Sequence, residues 1–355
     1  MRQIPDRYRP TGEVMSGGMS DVLICQDVVL ERSVAIKFVN QGVDRGRVED
    51  EVNSLFKLRS KHVVQIYDLV KTSAGEMGIV QELIEGSDLF EAKLVLDSPH
   101  DLCKILWQIA AGIADIHALG VIHRDIKPNN MKIDAEGILK IFDFGLARLE
   151  GGGAMTKAFI GTRGFAAPEL YYPPYRFTQA VDTYAFGASA LYLTLNGLPK
   201  DLLEQPPVHR GVSYFAEPLQ HLPFLQDVVS LLDSCLNPNP AARPTMVAVR
   251  DALARYLLRD RHRALLVYSE KSFRLDSENR LVKLTFANVG EIHIKYDGFS
   301  FVVDDVAGEV EINNKIVPVG MSMPGASVIS LGNAQRRANE RKFITFDISH
   351  PEIVL

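Results

Sequence analysis

The segment HRDIKPNN, residues 123–130, places a carboxylate, a cation and a carboxamide within a short stretch of the chain. Phosphoryl transfer requires a carboxylate near the attacking hydroxyl, a cation for the phosphate and a ligand for a divalent metal. Asp125, Lys127 and Asn130 are candidates for these three tasks. Asp and Asn are also common turn formers in loops, so the segment alone leaves both interpretations open.

A second acidic motif, Asp143-Phe-Gly145, follows 18 residues after Asp125 and directly after a predicted strand, Ile138–Phe142. A carboxylate that leaves a strand into a glycine turn is well placed to hold a divalent cation. A three-residue motif occurs often by chance. Its position after HRDIKPNN is what makes the pattern specific.

Lys37 ends the apolar run Val34-Ala-Ile-Lys37 on a predicted strand. A lysine among apolar strand residues must direct its ammonium at an anion or an open cleft. Glu51 lies on the next predicted element, an amphipathic helix, and an ion pair with it would aim Lys37 at two phosphates. Glu49 and Asp50 leave the choice of carboxylate open. A solvated lysine and a surface glutamate are the alternative interpretation.

Gly17 and Gly18 lie in a predicted strand turn upstream of Lys37. Glycines in such a turn allow backbone N–H groups to approach phosphate oxygens. A plain β-hairpin explains the same residues, so this feature carries little weight alone.

These four features occur in a fixed order, and together they resemble the protein-kinase signature. Further matches follow downstream: Ala167-Pro-Glu169 is similar to the end of the activation segment, and Gly161-Thr162 to the substrate-facing loop. Asp182-Thr-Tyr-Ala-Phe-Gly187 resembles the family's helix-start motif, with Tyr184 in place of the usual Trp. Arg243 falls where kinases keep an arginine that pairs with the glutamate matching Glu169.

The resemblance covers about residues 8–260 and is closest to bacterial eukaryotic-like Ser/Thr kinases. It implies an α+β, bilobal kinase domain over 1–262, with a β-rich N-lobe (1–84) and a helical C-lobe (85–262). The residues around it agree. Short β-branched runs, one of them at 63–67, dominate the first part, which also has a helix predicted around 48–56. Apolar residues at helical spacing dominate the second part.

The resemblance also implies roles for the motif residues. Asp125 would act as catalytic base or hydroxyl-orienting group, and Lys127 would neutralise the γ-phosphate of ATP, a pattern typical of Ser/Thr rather than Tyr kinases. Asn130 and Asp143 would bind Mg²⁺. Lys37, fixed by Glu51, would hold the α- and β-phosphates. The other implied nucleotide-binding positions are Gly17, Gly18, Val22, Ala35, the gatekeeper Gln81, Glu82 and Ile84 of the hinge (residues 82–84), and Asp88.

Three positions depart from the family pattern or have a second explanation. Met15 and Ser20 replace two of the three loop glycines, which favours a weaker phosphate clamp and keeps a pseudokinase scaffold as the alternative. Asp88 matches a position that often contacts the ribose or a basic substrate residue, but a helix N-cap is an equal interpretation. A small-molecule kinase is disfavoured, because the activation-segment motifs build a protein-substrate platform.

Regulation is expected in the segment 146–166, where Thr156 and Thr162 are the only hydroxyl residues. Arg124, which precedes the catalytic aspartate, commonly binds a phosphate on this segment in kinases. We predict Thr156 as the regulatory phosphoacceptor. Thr162 is predicted to have a fixed structural role beside Asp125.

Residues 263–355 predict a small all-β domain, since short strand-like runs are separated by turn signals. The six predicted strands are 281–286, 292–296, 299–303, 309–312, 327–331 and 343–346. Its end, NNKIVPVG, GASVISLG and RKFITFDI, resembles the second half of a forkhead-associated (FHA) sandwich. The family's phosphothreonine site requires a GR pair and an SxxH motif, and neither occurs between Ser269 and Asp297. We therefore expect a module that docks a partner or makes an intramolecular contact, with a degenerate phosphopeptide reader as the alternative. His293 is predicted to be an ordinary sheet residue.

The chain has 355 residues with a net charge of −5, so nothing indicates a nucleic-acid partner. Three widely spaced cysteines fit a reducing compartment better than a disulfide framework. The N-terminus has no apolar core, and the most apolar stretch, Tyr184–Leu195, is shorter than the roughly 20 residues that a membrane span needs. We expect a cytoplasmic protein without a membrane span, acting on a protein substrate.

Overall fold

A computed structural model describes residues 3–17, 20–38, 55–92, 98–144, 148–149, 161–173, 177–220, 226–333, 335–349, 351 and 353. The chain divides into two compact units, one formed chiefly by Met1–Leu253 and the other by Ala254–Val354. HRDIKPNN and Asp143-Phe-Gly145 both belong to the first unit.

The first unit begins with a five-stranded antiparallel sheet in the order β1-β2-β3-β5-β4. Alternating β-branched and apolar residues bury one face of this sheet, and Val34, Ile36 and Val80 in its centre are fully buried. Its strands are β1 (Tyr8–Gly17), β2 (Ser20–Asp27), β3 (Arg32–Phe38), β4 (Ile66–Lys71) and β5 (Met77–Glu82). The sheet places Lys37 on a central strand, opposite Val22 of β2 and Ile79 of β5.

Helix α1 (Pro99–Ala118) starts the helical part of the unit. The Ser98 side chain caps it by accepting a hydrogen bond from the amide of Asp101 at 3.1 Å. Its apolar residues recur at helical spacing on one buried face, and the chain leaves the helix at Gly120, which has a φ of 68°. The buried positions include Leu102, Leu106, Ile109, Ile113 and Ile116.

Helix α2 (Ala180–Leu195) is buried along most of its length, from Val181 to Leu191. A helix that is apolar on all sides belongs in a core, and this one ends at Asn196 in the left-handed conformation, with a φ of 54°. Helices α3 (Gln226–Cys235) and α4 (Met246–Leu257) follow. No helix among the described residues combines the length and apolarity needed to cross a membrane.

Two small strand pairs lie between α1 and α2 and carry the catalytic motifs. They are β6 (Val121–Ile122) with β9 (Arg148–Leu149), and the hairpin β7 (Met131–Ile133) with β8 (Leu139–Ile141). HRDIKPNN joins β6 to β7, and Asp143 follows β8. The hairpin therefore brings the two acidic motifs to the same side of the unit.

The second unit contains a six-stranded sheet, in the order β11-β10-β18-β17-β15-β16, and a three-stranded sheet, β12-β13-β14. One core cluster includes Leu266 and Ile344 from the first sheet and Leu284, Ile294 and Val303 from the second. The strands are β10 (Ala264–Tyr268), β11 (Lys271–Leu275), β12 (Leu281–Phe286), β13 (Gly290–Tyr296), β14 (Phe301–Gly308), β15 (Val310–Ile312), β16 (Lys315–Ile316), β17 (Ala326–Leu331) and β18 (Lys342–Ile348).

Some sequence expectations differ from the structure. The strand predicted at 63–67 is wrong in position, because Val64 donates its amide to the carbonyl of Ile141 and β4 begins only at Ile66. The strand predicted from Phe299 starts at Phe301, because the Asp297 carboxylate accepts the amides of Phe299 and Ser300 in a turn. The helix predicted around 48–56 lies mostly outside the described residues.

Candidate active site

Asp125 is the centre of a compact polar cluster. Its Oδ1 accepts a hydrogen bond from the Thr162 hydroxyl at 2.7 Å. Its Oδ2 lies 2.9 Å from Lys127 Nζ and 2.9 Å from Asn130 Nδ2. Lys127 Nζ also donates to the Thr162 hydroxyl at 2.8 Å. A carboxylate, an ammonium and a hydroxyl are thus held within hydrogen-bond distance of one another, on side chains that are mostly buried.

Short-range structure explains how Asn130 reaches this cluster. Residues Pro128–Asn130 form one 3₁₀ turn, which begins with a proline that fixes φ and lacks an amide proton. The Asn130 carbonyl accepts the amide of Phe142 at 3.0 Å, and Asn130 Nδ2 also donates to the carbonyl of Asp125 at 2.8 Å. These bonds join the two acidic motifs through their backbones.

The backbone of the catalytic loop rests on Asp182 at the start of α2. Its fully buried carboxylate accepts the amides of His123 and Arg124, each at 2.8 Å, and lies 2.9 Å from His117 Nε2. Burial opposes ionisation, but the hydrogen bond from His117 and the neighbouring amides outweigh it and hold the pKa of Asp182 below its ordinary value. Arg124 adopts a φ of 67°, which costs a non-glycine residue on the order of 1–3 kcal/mol. The two amide bonds to Asp182 offset this strain.

His123 is buried beneath the cluster, and burial lowers its pKa, which favours the neutral imidazole. Its Nε2 lies 3.2 Å from the carbonyl of Phe142, and its Nδ1 lies 3.4 Å from the amide nitrogen of Asp125. A neutral ring with its proton on Nε2 donates to the first group and accepts from the second. His123 therefore ties the Asp125 backbone to the segment that precedes Asp143.

Lys37 and Asp143 form a direct ion pair across the cleft between the sheet and the helical part. The Lys37 side chain is mostly buried, whereas about a third of the Asp143 side chain is exposed. Asp143 adopts a φ of 68°, the left-handed conformation that lets the chain turn sharply out of β8. The structure thus brings these two predicted residues together.

The predicted hinge begins at Glu82, the last residue of β5. Ala35 and Val34 of β3 pair with Gln81 and Glu82 of β5. The Glu82 carboxylate forms an ion pair with Lys140 at 2.8 Å and accepts a hydrogen bond from the amide of Gln65 at 3.2 Å. The amide of Glu82 donates to the Gln65 carbonyl at 2.9 Å, so both the side chain and the amide of Glu82 are held against the segment that precedes β4.

Two lysines of the β7–β8 hairpin contact this hinge. Lys140 pairs with Glu82, and Lys132 Nζ donates to the Ile84 carbonyl at 3.2 Å. Sequence reasoning missed both contacts. The available signal was the position of Lys132, two residues after Asn130 in a strand whose neighbours are apolar.

Asp88 acts locally as a cap. Its Oδ1 accepts the amides of Phe90 at 2.9 Å and Glu91 at 3.0 Å, and its backbone bridges to Lys132. These bonds hold a local turn, and the predicted contact of Asp88 with a ribose or a basic substrate residue stays a prediction.

Arg243 and Glu169 form the pair that the motifs predict. The two guanidinium NH groups bond the two carboxylate oxygens at 2.7 and 2.8 Å, and the Arg243 side chain is fully buried. Arg243 also donates to the carbonyls of Asn237 and Ala180. This bidentate pair fixes the Ala167-Pro-Glu169 turn against the helical core.

The structure describes some of the remaining predicted site residues and not others. The backbone of Gly17 ends β1 and Val22 lies on β2, whereas Gly18, Glu51 and Thr156 lie outside the described residues. The proposed Lys37–Glu51 pair and the regulatory role of Thr156 therefore stay predictions. Arg124 is buried, with its guanidinium carbon 4.8 Å from the centre of the Phe177 ring.

The donor set suits a divalent cation that shares its shell with a phosphate. Within the described part of the chain, no group of three or more His, Cys, Asp or Glu residues can hold a metal alone. Asn130 and Asp143 are close along the backbone contact between the two motifs, because the Asn130 carbonyl accepts the amide of Phe142, the residue before Asp143. Mg²⁺ is commonly bound through one or two protein oxygens together with substrate phosphates, so these residues fit it.

Comparisons with known proteins agree with this geometry. Residues 8–254 match the family model described as "Protein kinase domain". The chain is 30% identical over 255 residues to CBL-interacting serine/threonine-protein kinase 8 of Arabidopsis thaliana, covering 69% of this chain and 56% of that protein. It is 37% identical over 186 residues to the serine/threonine-protein kinase drp72 of Corynebacterium efficiens, covering 48% and 35%.

A third relative is the serine/threonine-protein kinase PknA of Corynebacterium glutamicum, 36% identical over 195 residues, with 51% of this chain and 41% of that protein covered. The chain thus spans about half or less of the length of these curated relatives. Because the family model covers well over half of the chain, the chain belongs to the protein kinase family.

Proposed function

We propose that this chain is an ATP-dependent serine/threonine protein kinase with the bilobal arrangement of 1–84 and 85–262. The observation that carries the proposal is the cluster of Asp125, Lys127 and Thr162, all within 2.9 Å of one another. A lysine two residues after the aspartate is the pattern of Ser/Thr kinases. The three relatives described above are all serine/threonine-protein kinases, which supports the same substrate class.

In this mechanism Asp125 orients the acceptor hydroxyl and takes up its proton as the bond to phosphorus forms. The Thr162 hydroxyl donates to Oδ1 of Asp125 and so fixes the orientation of the carboxylate that accepts the proton. Lys127 lies 2.9 Å from Oδ2 and directs the rest of its N–H groups at the transferred phosphoryl oxygens. Positioning and electrostatic stabilisation, rather than covalent catalysis, are the contributions of these residues.

Asp143 and Asn130 would hold Mg²⁺, which supplies charge neutralisation for the β- and γ-phosphates when bound. Asn130 Nδ2 is engaged by Asp125, so its Oδ1 is the atom offered to a cation. Lys37 would exchange part of its interaction with Asp143 for the α- and β-phosphates, held by Glu51. The backbone of the hinge at Glu82 and Ile84 would bind adenine, beside Gln81, Ala35, Val22 and the glycines 17 and 18.

For regulation we propose phosphorylation of Thr156, with Arg124 as part of the phosphate-binding site. Arg124 is anchored by its backbone at Asp182 and is adjacent to Asp125, so an anion bound there would act directly on the catalytic loop. Thr162 is better suited to its structural contact, because its hydroxyl is already bonded to Asp125.

For residues 263–355 we propose an FHA-like sandwich that docks a partner or makes an intramolecular contact. The strand order of the six-stranded sheet and the common core cluster support this assignment. The connection between β12 and β13 is only residues 287–289, which leaves little loop for phosphothreonine recognition. His293 lies within β13 against Glu291, as a sheet residue. Three buried free thiols, Cys25, Cys103 and Cys235, suit a reducing, cytoplasmic location.

The test is autophosphorylation with labelled ATP and Mg²⁺, comparing wild type with Asp143→Ala and Asp125→Asn. Asp304→Ala is the matched control, because Asp304 is exposed on β14 in the other unit. We expect label in wild type and control and none in the two site variants, with modified Ser or Thr, including Thr156, identified by mass spectrometry. Nucleotide binding without label on the chain or on a generic protein substrate would favour the pseudokinase scaffold.

A further inference from the structure

Lys132 lies between the hinge and the segment that precedes Asp143. Its Nζ donates to the Ile84 carbonyl at 3.2 Å and lies 5.8 Å from the centre of the Phe142 ring. Ile84 belongs to the hinge, and Phe142 directly precedes Asp143. The ammonium is therefore between the hinge and the metal-binding segment, on the side of the cleft formed by the helical part of the unit.

Lys132 differs from its neighbour Lys140 in what its ammonium contacts among the described residues. Lys132 and Lys140 are direct cross-strand partners in the β7–β8 hairpin, so their side chains share one face. Like charges directly opposite each other are unfavourable unless they are compensated. Lys140 is compensated by Glu82 at 2.8 Å, whereas the bond of Lys132 in the described part of the chain goes to a neutral carbonyl. A half-buried ammonium in this position favours a ligand that brings hydrogen-bond acceptors.

The pair formed by Lys132 Nζ and the Ile84 carbonyl presents a donor beside an acceptor. An ammonium has three N–H donors and no acceptor, so two donors are left for a ligand. Adenine offers an acceptor at N1 beside a donor at N6, and guanine offers an acceptor at O6 beside a donor at N1. Either purine edge can therefore satisfy both groups.

A hinge made of backbone groups alone would discriminate more strongly between adenine and guanine. The polarity of a main-chain carbonyl is fixed, so the O6 acceptor of a guanine placed against it meets another acceptor, which is repulsive. The lysine stem is flexible, and its terminal donor can move to whichever acceptor the base presents. A leucine or methionine at this position would offer no such donor.

We propose that Lys132 is a base-contacting residue that lets this cleft bind and use guanosine triphosphate as well as ATP. The inference rests on the proposed kinase function for its location in a nucleotide cleft. It adds a specificity determinant that lies outside the motif residues.

The experiment measures binding of Mg-ATP and Mg-GTP by titration calorimetry, and kcat/KM for phosphorylation of a generic substrate with each nucleotide. The variants are Lys132→Met, which keeps the length of the stem without the donors, and Lys132→Arg, which restores donors and charge. Lys283→Met, on the exposed face of β12, is the matched control for loss of a lysine. Thermal unfolding of each variant reports its folding, and Lys132→Leu, which also lacks donors, replaces the methionine variant if that one unfolds.

We expect wild type to bind GTP within about tenfold of ATP, and Lys132→Met to weaken GTP binding about 10- to 100-fold, as loss of a hydrogen bond from a charged group predicts. ATP binding should change less than GTP binding, and Lys132→Arg should recover most of the loss. The proposal is overturned if wild type shows no GTP binding, or if Lys132→Met weakens both nucleotides equally. Binding of both nucleotides without phosphoryl transfer would count against the kinase activity but still decide the role of Lys132.

Discussion

The hydroxyl of Tyr184 lies 3.2 Å from Nε2 of His209, deep in the helical part of the kinase domain. Tyr184 is fully buried and replaces the tryptophan that is usual in this motif. The Arg243 guanidinium lies 5.0 Å from the centre of its ring. A buried tyrosine hydroxyl requires a hydrogen-bond partner, and His209 supplies it from the loop that follows α2. The two residues act as one unit that accommodates the replacement.

A double-mutant cycle tests this coupling. His209→Phe removes the partner of a buried hydroxyl and should lower the free energy of unfolding by about 1–3 kcal/mol. In a Tyr184→Phe background the same change should cost less, with a coupling energy of at least about 0.5 kcal/mol. Urea unfolding of the four proteins gives the result. Strictly additive effects would show that the two side chains are independent.

The same histidine predicts a pH dependence of stability. Burial, aided by the charge of Arg243, lowers the pKa of His209 below its ordinary value of 6.5. The unfolded chain therefore binds more protons than the folded one near that pH, and the stabilisation present above about pH 6.5 is lost as the pH falls. Thermal unfolding between pH 7 and 5 should show a shallower loss in His209→Phe than in wild type. A slope left unchanged by the substitution would contradict this assignment. His62 and His123 have pKa shifts in the same direction, so some loss remains in both proteins.

The Arg243–Glu169 pair should be costly to break. Arg243→Met leaves the Glu169 carboxylate and three carbonyls, those of Asn237, Ala180 and Pro238, without this donor, and we expect a loss of about 3–5 kcal/mol in unfolding free energy. Arg243→Lys should recover only part of this, because an ammonium cannot make the bidentate contact. The matched control is Arg250→Met, which removes a half-exposed pair with Asp251 and should cost at most about 1 kcal/mol. Equal effects at positions 243 and 250 would refute the structural importance of the bidentate contact.

Thr162 should affect turnover more than folding. Thr162→Ala removes the hydroxyl between Asp125 and Lys127, and we expect kcat to fall about 10- to 100-fold, as loss of a hydrogen bond to a charged group predicts. Thr162→Ser keeps the hydroxyl and should retain most of the activity. Steady-state kinetics with a peptide substrate, together with thermal unfolding, separates the two effects. An alanine variant as active as the serine variant would show that Asp125 needs no such support.

Local motifs made much of this site predictable. Asp125, Lys127 and Asn130 lie within one loop, so their spacing alone brings them together, and the Gly turn after β8 identified Asp143. Contacts that join distant segments were less accessible. Asp182 was recognised as part of a motif, but its bonds to the amides of His123 and Arg124 span 59 and 58 residues. Nothing in the local pattern around Asp182 shows where its carboxylate points.

The second unit shows the limits of turn signals. Six strands near those observed were predicted, because glycine, proline or asparagine marks most of their boundaries. The hairpin of β10 and β11 was missed. Its turn at Ser269 and Glu270 contains none of these residues, although Ser269 adopts a φ of 54°. The tertiary pairing of β10 with β18 supports this turn in place of a local signal.

The anchoring of the catalytic loop at Asp182 has a consequence for substitutions in HRD. One carboxylate holds the main-chain amides of His123 and Arg124, and no side chain of these two residues takes part in those bonds. Replacing the Arg124 side chain therefore leaves these two bonds in place, whereas replacing His123 would also remove the contacts of its ring with the Asp125 amide and the Phe142 carbonyl. Loss of activity in an Arg124 variant can accordingly be attributed to the missing guanidinium itself. Replacing Asp182, in contrast, would alter the loop while leaving every side chain of the motif chemically intact.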